Sequence, residues 1–158
     1  MRCRIKNISA EGGICVKVKQ ISVFLENKSG RLAEVTRALG DHDINIRALS
    51  IADTTDFGIL RLIVNKPVDA NRILRDAGFM VSETEVIAVD VPDKPGGLAD
   101  VLETLGKASI NIEYLYAFIG QTSQDALVIF RVENCDGAMQ ALKEKNIRVL
   151  DGSEVYAL

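Results

Sequence analysis

Paired cysteines, long apolar runs and clustered positive charge are all missing from this chain, and each absence closes off a class of protein. The three cysteines, Cys3, Cys15 and Cys135, are odd in number and contain no C-x-x-C pair, so neither a disulfide framework nor a zinc site is indicated. They read as reduced, partly buried thiols. No run approaches the roughly 20 apolar residues of a membrane span, and the polar start MRCRIKNISAEGG lacks the apolar centre of a signal peptide. The expected location is the cytoplasm. Basic residues are interspersed with acidic ones at a formal charge of −3, which argues against nucleic acid or an anionic membrane as the main partner. Catalytic signatures are missing too: there is no G-x-S-x-G, phosphate loop or H-E-x-x-H. The single histidine, His42, sits in GDHD, and the consecutive Asp41, His42 and Asp43 cannot all turn toward one ion. The expectation is a chain with no catalytic residue, no metal and no cofactor.

What the chain does have is an apolar content of 47% in 158 residues, enough to bury a core, and a phrase written twice. KSGRLAEVTRALGDHDINI (28–46) and KPGGLADVLETLGKASINI (94–112) share 10 of 19 positions when laid 66 residues apart, where background composition would give roughly one or two. After a two-residue insertion the match continues, with Leu74 on Leu142 and Val81 on Val149. The chain therefore divides into an N-terminal extension, 1–19, and two units, 20–85 and 86–158.

The two units share one order of periodicities. QISVFLEN and VIAVDVPD are β-branched runs closed by turn residues, the pattern of strands. Leu32, Val35, Thr36 and Leu39, like Leu98, Val101, Leu102 and Leu105, recur at i, i+3, i+4 and i+7 and give each following helix one apolar face. Ser29 is the expected N-cap of the first such helix, Pro95 suits the first turn of the second, and Gly40 and Gly106 are expected to end them in left-handed caps. INIRALSIA and FGILRLIV, then INIEYLYAF and DALVIFRV, read as further strands. DANRILRDAG and GAMQALKEKN read as second helices, with Ala70, Ile73, Leu74 and Ala77 on one face. SEVYAL reads as a closing strand. The fold class is α+β: two ferredoxin-like βαββαβ units, each an antiparallel sheet with helices on one face, expected to pair into an eight-stranded sheet. Met80 to Val91 must end one unit and begin the next with almost no linker, so either close packing or an exchanged strand is expected there. If Ile44 and Ile46 face the helices, alternation sends Asn45, Arg47 and Leu49 to the other side, as it sends Asn111, Glu113 and Leu115. Arg47 and Glu113 occupy equivalent positions and read as separate solvated charges.

The duplicated phrase, NKSGRLAEV…LGDHDINI and DKPGGLADV…LGKASINI, resembles the motif of ACT domains: an amide or acid, a Pro-Gly or similar pair, a leucine, a helix and an Ile-Asn-Ile strand start. The likeness runs from Gln20 to the C-terminus, twice. It implies a non-catalytic regulatory module that binds small molecules, usually amino acids, between two paired domains. Carried over by position, the implied ligand-binding residues are Asn27, Ser29, Gly30, Arg31, Leu32, Asn45 and Ile46 in the first copy, and Asp93, Pro95, Gly96, Gly97, Leu98, Asn111 and Ile112 in the second. Ser29 and Asn27 depart from the Pro and Asp usual at those places.

Chemistry points to the same phrase independently. Gly30 and Gly96 lie where a strand turns into a helix, so a carboxylate can approach backbone N–H groups at the helix's positive end. Asn45 and Asn111 offer donors and acceptors to an ammonium or a carboxylate, and Asn27 and Asp93 can accept from an ammonium. Each residue type also has a purely structural use in turns, strand starts and caps. Between the copies, Arg31 against Gly97 is the sharpest difference: an arginine there either assists a carboxylate or blocks the pocket, and the second loop is expected to be less obstructed. The expected ligand is an L-amino acid, and the expected partner a second copy or a metabolic enzyme. The other reading is a constitutive interaction subunit of an amino-acid metabolic enzyme. An RNA-binding module is disfavoured, because its third strands should carry stacking aromatics and here offer Phe57 and Phe130 only.

Overall fold

The computed structural model describes residues 17–53, 56–118 and 125–158. The readings for Cys3, Cys15 and the first 16 residues lie outside them. Among the described residues the order is β1 (Val18–Glu26), α1 (Arg31–Gly40), β2 (Ile46–Asp53), β3 (Phe57–Val64), α2 (Pro67–Asp76), β4 (Met80–Pro92), α3 (Gly97–Lys107), β5 (Ile112–Phe118), β6 (Asp125–Val132), α4 (Cys135–Glu144), β7 (Val149–Leu150) and α5 (Gly152–Ala157). The strands form one antiparallel sheet in the order β2-β3-β1-β4-β6-β5, with β7 also against β4.

The junction explains why seven strands replace the expected eight. Met80 to Pro92 is a single strand of 13 residues. Its first half, Met80 to Val86, pairs with β1, and its second half, Ile87 to Pro92, pairs with β6. One strand thus closes the first unit and opens the second, and the boundary placed at 85/86 falls inside it. Alternation points both halves of β4 at the helices: Val81 packs under α1 and α2 with Ile21, Val23 and Leu25, while Ile87, Val89 and Val91 pack under α3 and α4 with Val101, Leu105 and Leu142, and Glu83 and Glu85 between them are exposed.

The alternate residues build a third core that a flat sheet would not have. Val18, Ala48 and Ile63 of the first unit meet Ala88, Tyr116, Leu127, Ile129 and Leu150 of the second. The strands at the two ends of the sheet order, β2 and β5, touch each other. The sheet therefore folds over on its helix-free face, because alternation leaves that face apolar and water must be excluded from it. The expected closing strand SEVYAL is instead helix α5, whose Val155 completes this core. Asp151 and Glu154 form a capping box that starts it, and the closing strand is reduced to Val149–Leu150.

Backbone detail corrects the expected caps. Gly30 (φ 90°) and Gly96 (φ 87°) are themselves the N-caps of α1 and α3, and Ser29 and Pro95 precede them. Gly40 and Gly106 stay helical, and the left-handed residues are Asp43 and Ser109, three positions on. Ala70, Ile73 and Leu74 face the first core as expected, whereas Ala77 is the exposed C-cap of α2. Among the described residues only α4 and α5 have side-chain N-caps; in α4, Asn134 Oδ1 accepts from the Gly137 N–H at 2.9 Å. Asn134→Ala is expected to cost about 1 kcal/mol, read as a lower urea midpoint with an unchanged m-value.

Cys135 is buried, and burial raises its thiol pKa, which leaves it a poor nucleophile. Among the described residues no helix is long and apolar enough to cross a membrane.

Candidate functional site

The first copy of the phrase frames a cavity of about 170 Å³. Strand β1 ends at Glu26, and Asn27 anchors the turn by donating its N–H to the Asp56 carbonyl at 2.9 Å. Gly30 swings the backbone into the left-handed region and launches α1, a turn open enough that nothing lies within 4 Å of where a Cβ would stand. The first N–H with an intrahelical acceptor is that of Glu34, to Gly30 O at 3.0 Å. Those of Leu32 and Ala33 precede it and have none within the helix. Leu25 and Leu60, 5% and 1% exposed, make the cavity floor with Gly58, and the half-exposed Leu32 and Ile51 form its lips. Glu26, Asn27, Lys28 and Arg31 complete the lining.

Charge around the cavity is largely spoken for. Lys28 Nζ sits 2.8 Å from a Glu26 carboxylate oxygen, and this ion pair holds the Glu26 carboxyl below its ordinary pKa. Arg31 folds back along its own helix, with Nη1 donating to Glu34 at 2.5 Å and Cζ lying 5.0 Å from the centre of the Phe79 ring. Its Nε is buried with no hydrogen-bond partner.

The second copy repeats the turn with less room. Gly96 is left-handed, and Gly97 donates to Lys94 O at 3.0 Å. A Cβ at Gly97 would lie 2.1 Å from the Pro92 carbonyl oxygen. The glycine expected to open this loop is therefore filled by backbone: the strand end presses on the helix start. Arg31 carries a real Cβ at the matching position, so the same two segments stand further apart in the first copy. Asp93 and Pro95 are exposed, Gly97 is buried, and Leu98 is 37% exposed.

The structure separates the asparagines from the glycine turns of their own units. Asn45 N–H donates to Asn65 Oδ1 at 2.9 Å, and Asn45 O accepts from Asn65 N–H at 3.1 Å, at the end of β2 remote from Ile51. Five residue steps of strand, roughly 17 Å, separate Ile46 from Ile51 at the cavity. Asn111, whose carbonyl accepts from Glu133 N–H at 3.3 Å, occupies the same place in the second unit. Ile46 and Ile112 pack toward the helix cores. Of the first-copy candidates, Asn27, Arg31 and Leu32 line the cavity, Gly30 shapes it, Ser29 is exposed beside it, and Asn45 and Ile46 lie apart.

Gly58 and Leu60 lie on β3, outside the duplicated phrase, and Ile51 was missed for a specific reason. The pairing of β2 with β3 shifts register between Ile46 and Ala48, and β5 with β6 shifts between Ile112 and Tyr114. The extra residue reverses alternation, so Leu49 pairs with Leu62 and Ile51 with Leu60, on the helix side. Leu49 was expected on the other face. Arg47 and Glu113 are not solvated singles either: Arg47 Nε donates to Tyr156 O at 3.2 Å, and Glu113 pairs with Arg131 at 3.4 Å. His42 is exposed, with Nδ1 2.8 Å from Ala38 O. Among the described residues no group of three or more His, Cys, Asp or Glu is placed to hold a metal.

A family model described as an ACT domain pair matches residues 16–158. A search of curated proteins finds no match. Among solved structures, protein BT0572 from Bacteroides thetaiotaomicron is 45% identical, with a TM-score of 0.86, covering 90% of this chain and 98% of that one. The ligand-free regulatory subunit of aspartate kinase from Thermus thermophilus is 18% identical, with a TM-score of 0.61 and coverage of 85% and 98%. The corresponding subunit from Thermus flavus is 15% identical, with a TM-score of 0.56 and coverage of 80% and 90%. These last two share the fold.

Proposed function

The chain belongs to the ACT domain pair family, and from that premise we propose that it is a regulatory protein that binds an L-amino acid at the first copy's strand-to-helix turn. The observation that carries the reading is the cavity beneath Gly30. It combines an apolar floor, helix-start N–H groups without intrahelical acceptors, and the side chain of Arg31 in its lining. A zwitterion matches these demands: its carboxylate suits the positive end of α1 and its side chain suits the floor. The volume, about 170 Å³, falls below the roughly 300 Å³ at which pockets for drug-sized ligands begin.

The lips explain why a second domain belongs in the picture. Leu32, Ile51 and neighbouring Leu49 are 41%, 47% and 52% exposed, and another ACT domain placed over them would bury apolar surface while closing the cavity. Because the helix-free faces inside one chain already pack on each other, the covering domain comes from a second copy or from an enzyme partner. A ligand enclosed between them shifts assembly by its difference in affinity for the closed and open arrangements.

Thermal unfolding in the presence of each proteinogenic amino acid tests this reading. At a concentration one hundred times Kd, a ligand specific to the folded state should raise Tm by about 5–10 °C. No rise with any of them at millimolar concentration, together with co-purification of a fixed enzyme partner, would replace the sensor with a constitutive subunit.

A further inference from the structure

The lining of the cavity narrows the ligand beyond the word amino acid. Everything a bound side chain would touch at depth is aliphatic or bare backbone: Leu25, Leu60 and Gly58 beneath, Leu32 and Ile51 beside. An ionised or amide side chain placed there surrenders its water without gaining a partner. The charged groups stand at the mouth, where Glu26 and Lys28 neutralise each other at 2.8 Å. What remain are the exposed Asn27 and Arg31, whose guanidinium also lies 5.0 Å from the centre of the Phe79 ring. The arginine's contact with Glu34 is an i,i+3 pair on the helix surface, a class of ion pair that contributes little. Its Nε–H is buried without an acceptor, an incomplete arrangement for a group with five donors. A ligand carboxylate offers a guanidinium two parallel hydrogen bonds, so it competes well against Glu34. Position 97, the second copy's counterpart, is a glycine and has no such donor.

The geometry points to a short branched aliphatic L-amino acid as the ligand class of the first cavity, its carboxylate held by an Arg31 released from Glu34; this rests on the amino-acid reading above. The same release makes Glu34 a negative determinant of affinity. Neutralising it frees the guanidinium for the ligand.

Calorimetric titration of the full chain with L-valine, L-leucine, L-isoleucine, L-aspartate and L-lysine tests the class. The aliphatic three are expected to bind at least tenfold more tightly than the charged two. Arg31→Gly is expected to weaken the best ligand tenfold or more, Arg31→Lys to weaken it less, and Glu34→Gln to tighten it about threefold, with unliganded Tm values reporting whether each variant is folded. Isobutylamine, which lacks the carboxylate of valine, should bind wild type and Arg31→Gly equally. Tighter binding of aspartate or lysine overturns the aliphatic class, and undiminished binding by a folded Arg31→Gly overturns the role of Arg31. Either result leaves the amino-acid reading standing. Absence of binding by all five, with a thermal response to some other amino acid, overturns this inference alone; no response to any amino acid removes both.

Discussion

Gly97→Ala is expected to destabilise the protein by about 3 kcal/mol, a fall in Tm of roughly 6–12 °C at this chain length. The added methyl would lie 2.1 Å from the Pro92 carbonyl oxygen and 3.1 Å from its carbon. Both obstacles are backbone atoms at the end of β4, where Val91 pairs with Ala126, so relief requires moving the strand or the start of α3. Gly30 and Gly96 provide the control. Each has open space around a would-be Cβ but a left-handed φ, 90° and 87°, and alanine there should cost about 1–2 kcal/mol from backbone strain alone. Gly40, with neither obstacle nor positive φ, should accept alanine without loss. If Gly97→Ala unfolds no earlier than Gly96→Ala, the close approach of strand and helix is not a constraint in solution.

That ranking marks the boundary of what was legible in the sequence. Duplication, element order and the apolar faces could be read because they depend on local periodicity: Leu39, Leu74, Leu105 and Leu142 are all buried where i, i+3, i+4 spacing puts them. Features set by a single inserted residue or by distant packing could not. The bulges after Ile46 and Ile112 carry no glycine or proline to announce them, yet they turn Ile51 toward the cavity. The run SEVYAL alternates well enough for a strand, but the preceding Asp151 supplies D-x-x-E, a helix-start signal whose capping box forms. Gly97 looked like room for a ligand because a sequence names the missing side chain and not the carbonyl that fills its place. The asparagines were grouped with the glycine turns by adjacency in the phrase, whereas α1 and α3 carry the chain the length of a helix away from each glycine turn before its asparagine is reached.

Gln20→Leu should cost roughly 2–4 kcal/mol by opening the contact between the two units. Gln20 is fully buried on the helix-free face of β1, and Ser22, 5% exposed, is its only polar companion in that class among the described residues. Its Nε2 donates to Tyr114 Oη at 2.7 Å and to Ser22 Oγ at 3.2 Å, and its Oε1 accepts from Tyr116 Oη at 2.9 Å. One side chain of the first unit thus satisfies two phenols of the second. The guanidinium of Arg61 lies 4.0 Å from the centre of the Tyr114 ring, fixing it from the other side. Burial pushes the Tyr116 phenol well above its ordinary pKa, so it stays a neutral donor across the physiological range. Leucine fills much of the volume of glutamine but removes the acceptor, and a buried hydroxyl without a partner costs about 1–3 kcal/mol. Removing the hydroxyls as well should restore most of the loss: Gln20→Leu combined with Tyr114→Phe and Tyr116→Phe is expected to be markedly more stable than the sum of its parts. Urea unfolding of the set measures that coupling, and amide exchange along β5 should quicken in Gln20→Leu alone. Strict additivity would mean that the two units are held by the apolar part of their shared core, and that this hydrogen-bonded group merely accompanies it.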